Sequence, residues 1–584
     1  MVGVQDFEKA QVCVAPMQRL GYDYRGENGI PRRHYFVKGE PRTHHVHMVE
    51  VQSEGWRSTL TFRDLLRARS ELASEYAREK ERLASNVPPQ AAPRSAAASP
   101  ATSRYQRHRP EQTLLYQLVE CHYPAFVEHL AEAGKQLPTH VRQAFDGYLQ
   151  CGRLEHGFLR LRCDTCHAEH LLAFSCKRRG FCPSCGARRM ADGAAWLVDQ
   201  VLPERPIRQW VLSLPFPMRF LLATNPALIS RVLGIVYRVI AAHLIRQAGH
   251  TQQAARTGAV TLIQRFGSAL NLNIHFHMLL LDGVYEVASD GIRLRFQWVR
   301  APTSAQLTQL AHTIARRVGR LLEREGLLER DTEQLDLGEA LDPDDPMPDL
   351  AGHSITYRIA VGPHRGRKVF TLQTLPNGWE DESTDAPGNV AGFSLHAGVA
   401  VKASQREKLE RLCRYICRPP VSEKRLFLTP RGDIGYSLKT PYRDGTTHVI
   451  FEPLDFIARL AALVPPPRLN LTRFHGVFAP NSPYRARITP ARRGRSATPT
   501  APAREEDRTP AERQAAMRWA QRLKRVFQVD VDRCPKCGGA VKVIACIEDP
   551  PVIERILNHL AKKDLPGLWP ESWAPPTGPV GLLH

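Results

Sequence analysis

The chain has 584 residues, and its 80 lysines and arginines outnumber its 59 aspartates and glutamates, which gives a formal net charge of +21 and a pI near 9.6. This length predicts several domains, and the basic charge favours a polyanionic partner such as nucleic acid. The first residues lack the pattern of a signal peptide, and asparagine and arginine interrupt the apolar stretch around 220–245. We therefore expect a cytoplasmic protein with no membrane partner, whose 13 cysteines are metal ligands or reduced thiols, not disulfides.

Changes in composition divide the chain into six predicted segments. They are an N-terminal α/β segment (1–85), a Pro/Ala/Ser linker (86–108), a cysteine-rich domain (109–205), a larger mixed domain (206–479), a basic linker (480–513) and a small C-terminal unit (514–584). Hydrophobic periodicity predicts strands near 34–51, 258–266, 271–281, 354–361 and 367–373, and helices near 62–83, 225–246, 304–325 and 404–418. The predicted fold class is therefore α+β, with several domains.

Two histidines lie on one face of the predicted strand at 271–281. His275 and His277 share that face with Asn271 and Asn273, while apolar side chains occupy the other face. Two neighbouring imidazoles on a strand with one buried face are a plausible site for a divalent metal ion. We expect an antiparallel sheet of about five strands with the pair on a central strand, and helices covering the apolar face.

Two Cys-x2-Cys pairs precede this strand. Cys163 and Cys166 are separated by fifteen residues from Cys182 and Cys185, a spacing typical of one tetrahedral structural zinc ion. Other nearby ligands, Cys151, His156, His167 and Cys176, are interpreted as spare residues. Basic side chains around the cysteines, including Lys177, Arg178 and Arg179, favour DNA binding over a merely solvated surface.

A basic helix with one tyrosine follows the strand region. Periodicity places Leu409, Leu412 and Ile416 on one face, and Pro419-Pro420 ends the helix. Tyr415 lies on the adjoining face with three cations that could contact a phosphate, namely Lys408, Arg411 and Arg418. A phenol needs cations and a polarised phosphodiester to act as a nucleophile, and a tyrosine at the edge of the core is the alternative interpretation.

The ordered combination resembles a known family. The cysteine pairs with Phe174-Ser175-Cys176-Lys177, the run Asn271-Leu272-Asn273-Ile274-His275-Phe276-His277, Arg414-Tyr415 and Leu438-Lys439-Thr440-Pro441-Tyr442-Arg443-Asp444-Gly445 are similar to transposases of the insertion sequence 91 family, rolling-circle enzymes of the HUH (His-hydrophobic-His) class. The resemblance covers about 109–584. It implies a nucleoid-associated bacterial enzyme that cleaves single-stranded DNA through a 5′-phosphotyrosine.

The resemblance also implies roles for individual residues. Tyr415 would be the nucleophile, and His275 and His277 would hold Mg²⁺ or Mn²⁺ against the scissile phosphate. Gln264, across a hairpin and roughly opposite Asn273, is the preferred third ligand, and Asp282 is the second choice. Founding members have two tyrosines four residues apart, but positions 411 and 419 are Arg and Pro here, so the chain resembles the single-tyrosine branch.

The N-terminal segment shows a second resemblance. Arg32-Arg33-His34-Tyr35-Phe36, Thr43-His44-His45-Val46-His47 and Phe62-Arg63-Asp64-Leu65-Leu66-Arg67 look like the C-terminal half of GrpB-like proteins of the nucleotidyltransferase superfamily. The catalytic Gly-Ser loop and paired acids of that superfamily are missing, so we expect an inert remnant. His45-Val46-His47 has the HUH spelling, but it lacks the zinc and tyrosine context.

Other functions remain open from the sequence alone. A plasmid replication initiator or relaxase would use the same metal and tyrosine chemistry, and a zinc-dependent DNA-binding protein would need no catalysis. A second zinc at Cys534-x2-Cys537 is a further possibility, completed by Cys546 and His559. The alternative is a tight turn with two reduced thiols. The sequence leaves the oligomeric state unassigned.

Overall fold

A computed structural model of the chain describes residues 2–26, 32–38, 44–51, 53–69, 109–288, 293–328, 344–374, 388–442, 444–492, 532–534 and 536–562. It has two compact units, Met1–Ala101 and Thr102–His584, which we describe separately. Both mix helices with largely antiparallel sheets, which confirms the predicted α+β class.

The first unit is a small α/β fold. Its elements are β1 (Val2–Val4), α1 (Val14–Arg19), β2 (Asp23–Tyr24), β3 (Arg33–Lys38), β4 (His44–Glu50) and α2 (Glu54–Ala68). The strand order is β1-β4-β3-β2, with β1 parallel to β4 and the other pairs antiparallel. The strands predicted near 34–51 are therefore confirmed. The predicted helix begins earlier than residue 62, and its part beyond residue 69 lies outside the described residues.

The second unit contains the remaining described elements. Its strands are β5 (Phe158–Cys163), β6 (Glu169–Ala173), β7 (Ile207–Ser213), β8 (Ala255–Arg256), β9 (Gly258–Phe266), β10 (Leu272–Leu281), β11 (Gly283–Val287), β12 (Leu294–Trp298), β13 (Phe370–Gln373), β14 (Asn389–Val390), β15 (Phe393–Val401), β16 (Leu426–Leu428), β17 (Ile434–Ser437), β18 (Thr446–Phe451), β19 (Thr472–Gly476) and β20 (Val541–Ile547). Its α-helices are α3 (Leu114–Glu132), α4 (Thr139–Gln150), α5 (Pro183–Trp196), α6 (Phe216–Thr224), α7 (Pro226–Gln247), α8 (Ser304–Arg324), α9 (Met347–Ile355), α10 (Arg406–Cys417), α11 (Pro453–Leu463), α12 (Arg485–Ile488) and α13 (Pro550–Lys562).

The largest sheet of this unit has the strand order β14-β15-β7-β10-β9-β19, and every neighbouring pair is antiparallel. Strand β10 therefore lies in the interior of the sheet. Its even-numbered side chains, from Leu272 to Leu280, are fully buried in a core with helices α6, α7 and α8. The alternation predicted for this strand is confirmed.

Helix α7 fills much of that core. Within the described part of the chain, it is the one helix that is long and apolar enough to span a membrane, and 67% of its most apolar window is buried. This burial agrees with the predicted buried helix. Its neighbour α8 begins with a capping box formed by Thr303 and Gln306, which satisfies two free backbone N–H groups.

A cysteine-rich module, called the zinc module below, combines residues 151–196 with the described residues of 532–562. Strands β20, β5 and β6 form a three-stranded antiparallel sheet, so the C-terminal strand pairs with the cysteine-rich region. Helix α13 packs against the same region through Ile553, which is buried with Leu154 and Phe158.

One predicted strand is wrong. Residues 354–361 include the end of α9 and a loop, although Ile359, Ala360 and Val361 are buried. The Ala360 N–H donates to the Asp455 carboxylate, so a side chain replaces a strand partner. A short apolar run is typical of any buried segment, so its composition did not distinguish this loop from a strand.

Candidate functional site

The two histidines of β10 lie on the sheet face opposite the large core. His275 pairs with Gln264 on β9, and His277 pairs with Leu262 on β9 and Val211 on β7. The two imidazole rings meet edge to face with centroids 4.9 Å apart. The alternation of the strand thus brings both rings together on one face, as a shared metal site requires.

Ring-nitrogen contacts restrict the protonation of the pair. Nδ1 of His275 lies 2.9 Å from the backbone carbonyl of Asn273, which only accepts, so Nδ1 carries the hydrogen and Nε2 keeps its lone pair. Nδ1 of His277 lies 2.7 Å from the side-chain amide nitrogen of Gln209 on β7, which only donates, so Nδ1 of His277 accepts this hydrogen bond. Burial lowers the pKa of His275 to about 4 and the pKa of His277 to about 3, so both rings are neutral at neutral pH.

The two candidates for a third ligand have different surroundings. The Gln264 amide nitrogen donates to the Ile416 carbonyl at 3.0 Å, which leaves its oxygen as the remaining acceptor. It lies opposite His275, not opposite Asn273 as predicted, because the hairpin has a register shift between Leu272 and His275. Asp282 lies on the other face, where both of its oxygens accept from Arg208 at 2.8 Å.

Helix α10 covers the face that holds the histidines. Leu409, Cys413 and Ile416 are buried against Leu262 and other residues of that face. The helix ends at Cys417, just before Pro419-Pro420, close to its predicted bounds. Tyr415 is not part of this apolar contact, since 43% of it is exposed.

Two cations lie against the Tyr415 ring. The guanidinium of Arg418 is 4.2 Å and the ammonium of Lys439 is 4.6 Å from the ring centroid, and Arg418 also lies 5.3 Å from the Phe266 ring. After burial, the charge of Arg418 also contributes to the lowered pKa of both histidines, so Arg418 lies near the pair as well as against the tyrosine. Lys408 instead donates to the Ala400 carbonyl near the start of the helix.

Helix α5 of the zinc module packs directly on α10. A Cβ atom at Gly186 would lie 2.6 Å from the Pro419 side chain, and one at Gly193 would lie 3.8 Å from the Cys417 sulfur. Close approach of the two helices therefore requires a residue without a side chain at position 186. The zinc module thereby fixes the end of the tyrosine helix.

A cavity of about 810 Å³ opens beside this helix contact. Its lining reaches the candidate site at Gln264, Ile416 and Arg418. Its lining includes five arginines and no acidic residue; they are Arg179, Arg189, Arg265, Arg418 and Arg473. Arg179 and Arg418 are among the predicted DNA-binding residues. Arg178, in contrast, donates to Gln143, and the carbonyls of Lys177 and Arg178 accept from Arg189.

Two of these guanidinium groups have unsatisfied buried donors. Arg265 is 7% exposed, and its Nε and Nη1 atoms have no hydrogen-bond partner, as is also the case for Nε of Arg473. Burial lowers the pKa of Arg265 to about 10. The Arg265 Nη2 atom donates to the Ala462 carbonyl at 3.4 Å, so this guanidinium keeps two unpaired donors. Buried guanidinium donors without partners, in a cavity without acids, are suited to an anion.

The structure corrects the predicted zinc ligands. Cys163 and Cys166 do not join Cys182 and Cys185; the four cysteines are divided between two separate groups within the described residues. The first group is Cys151, Cys176, Cys182 and Cys185, and the second is Cys163, Cys166, Cys534 and Cys537. The single predicted site is wrong because spacing shows that each pair forms a turn, but not which other pair that turn meets.

The first group has the geometry of a structural zinc site. Its sulfurs lie 3.4–3.7 Å apart along the contacts Cys176–Cys185, Cys151–Cys185 and Cys151–Cys182. Tetrahedral Zn²⁺ with bonds of about 2.3 Å requires sulfurs about 3.8 Å apart, so the residues fit this ion. Hydrogen bonds from the other three thiols hold the pKa of Cys185 far below its usual range. Cys151 and Cys176, interpreted from sequence as spare thiols, are members of this group.

Comparisons with known proteins agree with this arrangement. Residues 118–214 match the family described as "Transposase zinc-binding domain", residues 258–485 match the family described as "Putative transposase", and residues 1–98 match the family described as "GrpB protein". No solved structure matches the chain significantly.

Two curated relatives are similar to the N-terminal segment. The UPF0157 protein YqkA of Bacillus subtilis is 43% identical over 89 residues, which are 15% of this chain and 26% of the relative. The UPF0157 protein PA4798 of Pseudomonas aeruginosa is 42% identical over 84 residues, 13% of this chain and 34% of the relative. The chain therefore spans about a quarter to a third of the length of these relatives.

The chain therefore contains, in this order, a region that matches a transposase zinc-binding domain and a region that matches a transposase domain, and both kinds of domain occur in enzymes that act on DNA. These two matches are of the insertion sequence 91 type and a GrpB match precedes them, which confirms both resemblances found in the sequence. The cysteine groups and the zinc-binding match together support structural zinc.

Several residues of the site could not be found by motif. Gln209, Arg265 and Arg473 come from distant parts of the chain and reach the site only through strand pairing and loop packing. Polar residues within apolar strands, such as Gln209 in β7, are the one signal that points to them. Lys439 lies within a quoted family motif, but its contact with Tyr415 was not predicted.

Proposed function

We propose that this protein is a transposase that cleaves and rejoins single-stranded DNA by a rolling-circle mechanism, with Tyr415 as the nucleophile and His275 and His277 as ligands of Mg²⁺ or Mn²⁺. The observation that supports this most is the histidine pair on an interior strand, on the same face that the tyrosine helix α10 covers. Arg418 contacts the tyrosine ring and influences both histidines, so the three groups share one environment.

The position of the ring hydrogen on His275 supports metal binding. Since Nδ1 of His275 must donate to the Asn273 carbonyl, its Nε2 is free to bind a cation. The Gln209 amide nitrogen donates to Nδ1 of His277; a half-turn of this amide would place its oxygen there instead and would leave Nε2 of His277 free as well. Among the described residues, no carboxylate, thiol or third imidazole forms a compact group with the pair, which favours the Gln264 oxygen as the third ligand.

A divalent cation bound there would polarise the scissile phosphate. The Tyr415 oxygen, after losing its proton to solvent, attacks phosphorus, and the bond from phosphorus to the 3′ oxygen breaks. The 5′ phosphate stays on the tyrosine, and the departing oxygen takes up a proton to become a free 3′-OH. Attack of a 3′-OH on the phosphotyrosine restores a DNA strand by the reverse step. Arg418 and Lys439 beside the ring stabilise negative charge on the nucleophile.

The arginine-lined cavity is the proposed path of the DNA strand. The unsatisfied donors of Arg265 and Arg473 would bind phosphate oxygens, which provide the missing acceptors. Because the cavity meets the site at Gln264 and Arg418, a strand in it would lead to the tyrosine. The predicted DNA contacts of Arg179 and Arg418 belong to this path, whereas those of Lys177, Arg178, Lys408 and Arg411 are proposals from the charge pattern alone.

Covalent trapping tests the proposal. The purified protein is incubated with Mn²⁺ and a randomised pool of single-stranded oligonucleotides labelled at the 3′ end, and the mixture is run on a denaturing gel. We expect label at the position of the protein, because the 3′ fragment stays on the tyrosine. Tyr415→Phe should abolish this band, and the variant should still bind the pool. The control Tyr484→Phe removes a hydroxyl just before helix α12 and should leave the band unchanged.

Two outcomes would contradict the proposal. An adduct formed by Tyr415→Phe would show that another group is the nucleophile. Binding of the pool by the wild-type protein without any adduct would support a zinc-dependent DNA-binding protein with no catalysis.

A further inference from the structure

The second cysteine group joins residues that lie far apart in the sequence. Cys163 Sγ is 3.4 Å from Cys537 Sγ, 374 residues later in the chain, and Cys166 Sγ is 3.6 Å from Cys534 Sγ, 368 residues later. All four sulfurs lie within 4.8 Å of one another. The zinc-binding family match ends at residue 214, so it includes only one half of this group.

The two halves have the same backbone geometry. In the first turn the His167 N–H donates to the Cys163 carbonyl, and in the second the Gly538 N–H donates to the Cys534 carbonyl. The residue after the second cysteine has positive φ in both turns, +56° at His167 and +75° at Gly538. Each turn therefore presents two sulfurs in the same direction, as the two knuckles of a four-cysteine zinc site do.

The surroundings hold the two turns together. The Asp164 N–H donates to the Ala540 carbonyl, and the Asp164 carboxylate pairs with Lys542 at 2.8 Å. A Cβ atom at Gly539 would lie 2.4 Å from the Thr165 hydroxyl and 3.0 Å from the Cys163 sulfur. The CPxCGG sequence therefore places glycine where the two turns come closest.

We propose that Cys163, Cys166, Cys534 and Cys537 bind a second structural zinc ion, which fastens the C-terminal segment (residues 532–562) to the zinc-binding domain. The sulfur separations match those of the first group and those that tetrahedral Zn²⁺ requires. The predicted completion by Cys546 and His559 is replaced, since Cys546 is exposed on β20 and contacts Glu548. The zinc-binding domain is thus completed from the other end of the chain.

This ion has a structural consequence beyond its ligands. Strand β20 extends the β5–β6 sheet, and Ile553, Ile556 and Leu557 of α13 pack on Leu154 and Phe158. The cluster is small, so its apolar contacts alone give limited stability, and metal affinity becomes part of the folding free energy. We expect the segment to detach when the ion is lost, and the first zinc group to stay intact.

Zinc content of the full-length protein tests the proposal. We expect elemental analysis to find two Zn²⁺ per wild-type chain and one in the double variant Cys534→Ser/Cys537→Ser. The control Cys546→Ser, at an exposed cysteine of the same segment, should keep two. One zinc in the wild-type chain, or two in the double variant, would overturn the proposal.

Thiol reactivity of the unmutated protein gives a second test that no folding defect can affect. Cys166 and Cys537 are exposed, so as free thiols they would react with iodoacetamide as readily as Cys546. We expect mass spectrometry to find Cys546 alkylated first and the four grouped cysteines protected until a chelator is added. Rapid alkylation of Cys166 and Cys537 in the zinc-loaded protein would contradict a metal site. Neither test depends on DNA cleavage, so each stands apart from the proposed function.

Discussion

Two strands of this protein carry the same His-hydrophobic-His pattern, but their ring nitrogens have different partners. In β4, the Nδ1 atom of His47 lies 3.2 Å from the guanidinium of Arg33, which can only donate. Nδ1 of His47 is therefore an acceptor, and in the neutral ring the hydrogen is on Nε2. In β10, the Asn273 carbonyl imposes the reverse tautomer on His275 and leaves Nε2 free.

The residues around the two histidine pairs also differ. His45 contacts the Tyr35 hydroxyl at 2.6 Å, and the Tyr35 ring packs edge to face on His47. The β10 pair instead faces a helix with an exposed tyrosine and reaches an arginine-lined cavity through Gln264. A His-x-His pattern therefore predicts a shared face, whereas the partners of the ring nitrogens decide whether that face can hold a metal ion.

The largest expected effect is the loss of activity when a histidine of the β10 pair is replaced. His275→Ala should lower metal-dependent adduct formation by about 10³-fold or more, because the cation supplies several kcal/mol of transition-state stabilisation. His45→Ala should leave the rate unchanged. The two variants are compared with one 3′-labelled oligonucleotide pool, with and without Mn²⁺. A loss of activity in His45→Ala, with His275→Ala still active, would show that the metal site lies on β4 and not on β10.

An intermediate effect is expected at Gln209, which we infer to be a positioning residue. Gln209→Leu removes the partner of His277 Nδ1 and should weaken the affinity for Mn²⁺ by about 10–100-fold. This loss is measured as an increase in the Mn²⁺ concentration that gives half of the maximal rate. Gln209→Glu keeps an acceptor for an Nδ1–H group and should retain more activity. If the glutamate variant is weaker than the leucine variant, the amide nitrogen is the required partner, and His277 binds no metal through Nε2.

A smaller effect is expected in the cavity. Arg265→Gln removes a buried cation with unsatisfied donors and should weaken binding of the single-stranded pool severalfold, with a salt slope shallower by about 0.7, the value for one phosphate contact. Arg324→Gln, an exposed arginine bonded to its own helix, serves as the control. Equal salt slopes for the two variants would exclude a phosphate contact at Arg265.

The smallest expected effect concerns the first unit as a whole. Deletion of residues 1–108 should leave the rate of adduct formation within about twofold, because the proposed site lies entirely in the second unit. The measurement is the same gel assay at equal protein concentrations. A large loss would show that the GrpB segment contributes to DNA processing and is not an inert remnant.

The sequence predicts local features of this molecule well. The β10 alternation, the apolar face of α10 and the end of that helix before Pro419 all follow from periodicity and proline. The partners of the cysteine turns did not follow, because Cys163 and Cys537 are 374 positions apart in the sequence and meet only through tertiary packing. Gln209 and the contact of Lys439 with Tyr415 were not predicted for the same reason, since each residue reaches its partner through tertiary packing.

The most direct test of the account is the position of a bound metal ion. Crystals of the protein soaked in Mn²⁺ can be measured at the manganese absorption edge, where anomalous scattering locates the ion independently of any activity. We predict one manganese peak within bonding distance of Nε2 of both His275 and His277, and none at His45 or His47. Full occupancy at the β4 pair, or no peak at the β10 pair under conditions that support cleavage, would contradict the account.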